Sequence, residues 1–332
     1  MRPPEAEALA VRVRSFIRGE SEEGFGEIAL AVGAYQRANS PVIAALSDGA
    51  PLTWRDLPAV PVELFKRVAV GTVPVGEGRV FRTSGTTGGP RGEHRTWTPE
   101  LYELGAERWA RACVEDLPPR AHALLLDAWA HPDSSLSHMV ALLTDEAEWY
   151  LRPDGVDLDG LERALAAETE PVFVPCTGFA LAEWFERGTP AAPPGSVVMV
   201  TGGFKGRVQR VDDVGLYAAA RAAFTGCRVV TEYGMTELSS QLWGEPGGDY
   251  APPAWLRALA VDPVTGTPLP AGRPGQLRFV DLCNLDSAVA IETLDAGVVH
   301  EDGTVTLHGR LAGSGARGCS LTVEEAWARR VR

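Results

Sequence analysis

Between residues 120 and 235 short apolar runs alternate with amphipathic stretches, and the runs end in glycine or polar residues. The apolar runs are 121–129, 171–175, 196–201 and 227–232; helical patterning covers 134–143, 160–167, 179–186 and 212–224. Apolar runs without strict alternation suit strands covered on both faces. Their alternation with helices predicts right-handed βαβ units around a mostly parallel sheet, an α/β fold. Ligands of such sheets bind beyond the carboxyl ends of the strands. The exits Thr201-Gly202-Gly203 and Glu232-Tyr233-Gly234-Met235-Thr236-Glu237 are therefore predicted to face one crevice.

The flanks are written differently. Residues 4–18 have Leu9, Val13, Phe16 and Ile17 at helical spacing. Helices are expected over 25–37, broken by Asn39-Ser40-Pro41, and over 42–46. A Pro-punctuated approach over 58–69 is expected to end in a short apolar strand carrying Phe65 and Lys66, and 98–115 starts as a helix at Thr98-Pro99-Glu100. After residue 250, prolines separate short runs at 276–280, 287–291, 298–299 and 304–308, which predicts a small antiparallel β region, followed by a short helix over 322–332. The expected division is 1–250, a helical lead-in plus α/β core, and 251–332, the β region and a C-terminal segment with Cys319.

Residues 82–92, R-T-S-G-T-T-G-G-P-R-G, hold four glycines, four hydroxyl residues and two arginines in eleven positions. Glycine lets the backbone turn its N–H groups toward an anion, and the hydroxyls add donors. Arg91 can offer a fixed fork of donors to phosphate. A plain flexible linker would not interleave hydroxyls and bases so tightly. The spacing is not that of a G-x-x-x-x-G-K-[ST] loop.

Composition narrows the partners. A net charge of −13 argues against nucleic acid or an anionic membrane. No run of apolar residues is long enough to span a bilayer, and the charged N-terminus does not read as a signal peptide. Five scattered cysteines with no C-x-x-C pair fit a reducing cytoplasm. Lysine occurs only at Lys66 and Lys205 among 31 basic residues, which draws attention to both.

Three stretches carry a resemblance. Thr83 through Gly92 is similar to the phosphate-loop signature of adenylate-forming enzymes: acyl-CoA synthetases, adenylation domains and firefly-type luciferases. Tyr233-Gly234-Met235-Thr236-Glu237 resembles their second signature, and Asp295 with Gly309-Arg310 falls where a ribose-binding aspartate and hinge arginine are expected. More narrowly, 61–66, 134–139, 202–206, 233–241, 309–310 and 317–321 resemble LuxE-type acyl-protein synthetases, over about residues 25–325.

The resemblance implies the adenylate-forming large-domain fold. It also implies that a carboxylic acid attacks the α-phosphorus of ATP to give acyl-adenylate and pyrophosphate, and that a thiol then takes the acyl group. Thr83, Ser84, Gly85, Thr86, Thr87, Gly88 and Arg91 would hold the β/γ-phosphates. Gly202, Gly203, Tyr233 and Gly234 would frame adenine, Thr236 would reach the α-phosphate, and Asp295 would accept from ribose with Arg310 nearby. Glu237 would hold Mg²⁺. His131, Ser135, His138 and Met235 fall where the acid would bind, and Trp129 and Phe179 could line an aliphatic or aromatic acid equally well. Relatives have a further C-terminal domain with a catalytic lysine. This sequence reads as a truncated version, with no lysine after Arg310. Lys205, or else Lys66, is the expected replacement. Cys319 is the expected acyl acceptor, beside Arg310 and Arg317 and after Gly313-Ser314-Gly315. The acyl group would pass to an acceptor protein, a reductase or a carrier protein. A ligase using coenzyme A or phosphopantetheine directly, and a non-catalytic nucleotide-binding scaffold, are the other readings.

Overall fold

The computed structural model describes residues 1–47, 49–84, 90–152, 155–202 and 213–311. Helices α1 (Pro4–Arg18), α2 (Phe25–Asn39) and α3 (Pro41–Ala45) lead to strands β1 (Val60–Pro61), β2 (Arg79–Arg82) and β3 (Glu93–Thr96) and then helix α4 (Glu100–Cys113). There follow β4 (Arg120–Ala123), α5 (Ser135–Leu143), β5 (Glu146–Trp149), β6 (Leu151–Arg152), β7 (Gly155–Val156), α6 (Leu158–Ala167), β8 (Phe173–Thr177), α7 (Gly178–Arg187), β9 (Val197–Thr201), α8 (Asp213–Ala223) and β10 (Arg228–Tyr233). The last strands are β11 (Leu242–Gly244), β12 (Tyr250–Ala251), β13 (Leu256–Val261), β14 (Pro274–Asp281), β15 (Ala290–Val299) and β16 (Val305–Arg310).

The chain forms two compact units. Among the described residues, one holds those within 1–106, 235–240 and 251–311, and the other those within 107–234 and 241–250. This differs from a single cut at residue 250. The helical lead-in belongs with the β region, because β1 pairs with β15 and Gln36 of α2 bonds the carbonyls of Asn284 and Leu285.

The second unit is the predicted βαβ core. Strands β5, β4, β8, β9 and β10 lie side by side and parallel, and β11 adds antiparallel to β10. All five residues of β9 are buried, as two-sided cover requires. Leu161 and Leu165 of α6, Leu181 and Trp184 of α7, and Leu216 and Ala220 of α8 pack with Val174, Val198 and Val200 of the strands. Each such leucine or valine contributes about 1.5–3 kcal/mol through burial. Local signals start the helices: Asp157 accepts from Gly160 N at 2.9 Å and Thr177 from Ala180 N at 3.2 Å.

In the first unit, β13, β14, β15 and β16 form an antiparallel meander, and β2 and β3 pair antiparallel. Here the structure corrects several expectations. The runs 287–291 and 298–299 belong largely to one ten-residue strand, β15. Within 58–69 only Val60–Pro61 is strand. Residues Val62–Lys66 then form a 3₁₀ turn, after two prolines that lack N–H groups for a ladder. In the second unit the run 121–129 is strand only to Ala123. The Asp127 carboxylate accepts from Trp129 N and Ala130 N, turning the chain, and Trp129 is 86% exposed. The expected helix at 322–332 lies outside the described residues.

One glycine is required by close approach. Gly71 has φ +104°, and a Cβ there would lie 2.5 Å from Asp286 O and 2.7 Å from Ser287 Cα. The next residue, Thr72, donates its N–H to Asp286 O at 2.9 Å. Gly71→Ala is expected to destabilise by about 2 kcal/mol, read as a lower urea midpoint at unchanged slope. An unchanged midpoint would refute the contact.

Candidate active site

Strands β2 and β3 bring the two ends of the glycine-rich loop together. Thr83 N donates to Gly92 O at 3.0 Å, and Gly92 N donates to Thr83 Oγ1 at 2.8 Å. Arg91 braces this base, its Nε donating to Thr83 O at 2.6 Å and a terminal nitrogen to Arg82 O at 3.2 Å. Cross-strand Arg82 and Glu93 form an ion pair at 3.0 Å. Ser84 is exposed. Gly85, Thr86, Thr87 and Gly88 lie outside the described residues.

Glu237 sits at this base. Residues 235–238 form a turn closed by Leu238 N donating to Met235 O at 3.1 Å; Met235 and Thr236 are half-buried, and Glu237 is 6% exposed. Its Oε1 lies 3.4 Å from where a Cβ on Gly92 would stand, which puts the carboxylate directly beside the end of the loop. Buried polar side chains hold the segment. Asn284 donates to Glu237 O and accepts from Ser239 N, both at 3.0 Å. The Asp281 carboxylate accepts from Ser240 N and Ser240 Oγ, both at 2.8 Å, and from Cys283 N at 2.9 Å. Burial pushes Asp281 up to about 6 against those donors. His94 stacks on Phe65 at 6.3 Å and meets Ser239 Oγ at 3.4 Å. Burial lowers its pKa to about 4, so the imidazole is neutral at pH 7.

Sequence reasoning missed Asn284, Asp281 and His94. The available signal was the polar pair Asp281 and Asn284 within the otherwise apolar stretch 279–285.

Other expected residues of this unit form separate pairs. Asp295 and Arg310 are register partners on β15 and β16, with Arg310 Nε 3.7 Å from Asp295 Oδ1. Lys66 is half-buried, and its Nζ lies 3.1 Å from Glu63 Oε1 in the 3₁₀ turn.

In the second unit the exits of β9 and β10 are neighbours. Glu232 is register partner to Thr201, whose hydroxyl donates to its carboxylate. Gly202 follows at φ +69°. Tyr233 is half-buried and meets Tyr250 edge-on at 6.1 Å. A Cβ on Gly234 would lie 2.4 Å from Glu232 Oε1. Burial raises the Glu232 pKa to about 7, a feature that reading the signature alone did not reveal.

His131 is exposed, and Ser135 and His138 are half-buried on α5, whose N-cap Ser134 accepts from Ser137 N at 3.2 Å. Cys113, Cys176, Cys227 and Cys283 are free thiols, and burial raises the pKa of each, which disfavours a nucleophilic thiolate. Gly203, Lys205, Arg317 and Cys319 lie outside the described residues. Among the described residues no helix is long and apolar enough to cross a membrane.

A buried carboxylate at the loop base is the kind of oxygen ligand that suits Mg²⁺, a hard cation that keeps several of its waters. Glu237 would hold that ion, which would supply neutralisation of phosphate charge.

No protein-family model matches the chain. Over 101 residues it is 28% identical to a long-chain-fatty-acid–luciferin-component ligase of Vibrio harveyi, a match covering 29% of this chain and 27% of that protein. Its fold matches ATP-bound MatB from Rhodopseudomonas palustris (TM-score 0.50, 18% identity, 70% of this chain and 47% of that one). It also matches the O-succinylbenzoate coenzyme A synthetase MenE from Bacillus subtilis in complex with ATP and magnesium (TM-score 0.52, 14% identity, 71% and 51%). The chain thus spans about a quarter of the curated relative and about half of each solved one. It has the mixed α/β fold of adenylate-forming enzymes, and part of its sequence is similar to a long-chain-fatty-acid–luciferin-component ligase.

Proposed function

We propose that this protein activates a carboxylic acid with ATP as the acyl-adenylate and then transfers the acyl group to a thiol. A carboxylate oxygen of the acid bonds to the α-phosphorus as pyrophosphate leaves, and a thiol sulfur then bonds to the acyl carbon as AMP leaves. The observation that carries this reading is the Glu237 carboxylate beside Gly92, which places residues of the two signatures together within one unit. Charge develops on phosphate oxygens in such a step, so positioned donors and a cation are what it needs. Thr83, Ser84, the loop N–H groups and Glu237 with Mg²⁺ are assigned that work, Arg91 bracing the loop. Thr236 is assigned to the α-phosphate, Asp295 and Arg310 to ribose, and Gly202, Gly203, Tyr233 and Gly234 to adenine. Lys205 or Lys66 is assigned the carboxylate or α-phosphate contact, and His131, Ser135, His138 and Met235 the acid site. Cys319 is proposed as the first acyl acceptor, with an acceptor protein, reductase or carrier protein after it, in a reducing cytoplasm. The name of the luciferin-component ligase supports a carboxylic acid as substrate, and the name of the MenE neighbour supports an external thiol as the second reading.

Acid-dependent ATP–pyrophosphate exchange over aliphatic and aromatic acids tests the first step. Exchange with at least one acid is expected, and silence across the panel together with no ATP binding would leave only a scaffold. Cys319→Ser is expected to keep exchange and lose thioester formation on the protein. If thioester formation with coenzyme A or a phosphopantetheine carrier survives undiminished, the external thiol is the acceptor.

A further inference from the structure

Two fully buried side-chain amides connect α2 to Glu237. Gln36 Nε2 donates to Asn284 O and Leu285 O, each at 2.8 Å, and its Oε1 accepts from Val289 N at 2.9 Å. Asn284 Nδ2 donates to Glu237 O at 3.0 Å and Ala288 O at 2.9 Å, and its Oδ1 accepts from Ser239 N at 3.0 Å. Both donors of each amide are used, and one acceptor. Such groups are costly to bury unless bonded, so they hold one arrangement of the segments they join. Asn284 binds a carbonyl and the N–H two residues later in one segment, as a neighbouring strand would. It therefore grips the backbone directly after the Glu237 side chain, at the C-terminal end of the turn.

We propose that Asn284, itself held by Gln36, is a positioning residue for Glu237: it fixes the turn so that the carboxylate stands beside Gly92, and it thereby sets the affinity for the divalent cation. The proposal rests on the reading of Glu237 as the Mg²⁺ ligand. Nothing in the second signature contains either amide, since Gln36 and Asn284 are 248 positions apart and both lie outside residues 233–237.

The test uses the intact chain with Asn284→Ala, Gln36→Met and Glu237→Gln. The readouts are half-saturating Mg²⁺ in pyrophosphate exchange and, without turnover, Mn²⁺ binding in the presence of ATP by electron paramagnetic resonance. Asn284→Ala is expected to weaken the cation about tenfold or more at unchanged KM for the acid. Gln36→Met is expected to weaken it less. A folded Asn284→Ala with wild-type cation dependence, or with losses spread equally over ATP, acid and cation, overturns the proposal. If Glu237→Gln weakens the cation and Asn284→Ala does not, the positioning role alone fails. If Glu237→Gln leaves cation binding intact, the reading of Glu237 fails first. Hydrogen exchange of the wild-type chain decides the matter even if the variants do not fold. The peptide over 237–241 is expected to exchange as slowly as β9 before ATP and Mg²⁺ are added. Fast exchange there that slows only on their addition refutes the preset turn.

Discussion

Glu237→Gln is expected to lower acid-dependent ATP–pyrophosphate exchange by about 10²- to 10³-fold, the loss seen when one preorganised electrostatic contributor is removed from a site of developing charge. Glutamine keeps the shape and can fill the space beside Gly92, but it carries no charge for a cation. The turn itself should persist, because its anchors are main-chain bonds from Asn284 and the Met235–Leu238 closure, which the substitution does not touch. Unfolding by urea should therefore change little while the rate collapses. A fall of less than about threefold, with the same Mg²⁺ dependence, would place the cation elsewhere.

The second large effect is on stability. Glu232 is buried, and in the folded chain its pKa is raised to about 7 from an ordinary 4.5, the desolvation of the anion outweighing the Thr201 hydrogen bond. The folded protein thus holds a proton that the unfolded chain has released at any pH between those values. Stability falls as pH rises through that window, is greatest in this respect below 4.5, and has lost about 3 kcal/mol above 7. Glu232→Gln is neutral throughout and can still accept from Thr201. It is expected to match the wild type near pH 4.5 and to exceed it by up to about 3 kcal/mol at pH 8. Urea unfolding of both proteins from pH 5 to 8 measures the difference, which isolates this group from others titrating in the range. A difference that does not grow with pH would mean that the carboxyl is ionised and well solvated when folded.

The parallel core was legible because its cause is local. Runs such as 196–201 are apolar throughout, and a strand covered on both faces must be; the helices between them carry their own caps at Asp157 and Thr177. The run 121–129 reads as a longer strand than it is, because apolar content continues past Ala123 toward the Asp127 turn. The ten-residue β15 was read as fragments, since its Glu292 and Asp295 interrupt the apolar pattern. Glu292 is nonetheless buried against Arg278, at 2.7 Å. Pairing of distant charges is invisible to a window of sequence.

The same division runs through the candidate site. The sequence alone determined the residue types: glycines and hydroxyls at 83–92, an acid at 237, an aspartate and an arginine at 295 and 310. The first is a local chemical requirement written in adjacent letters, and the others rest on the resemblance of short stretches to known signatures. Only the tertiary structure decided that Glu237 stands beside Gly92, that Arg91 closes the loop base, and that Gln36 and Asn284 hold the acid's turn. These depend on contacts between segments far apart in the chain. A buried amide has no periodicity to announce it, and its value comes wholly from the partners that folding supplies.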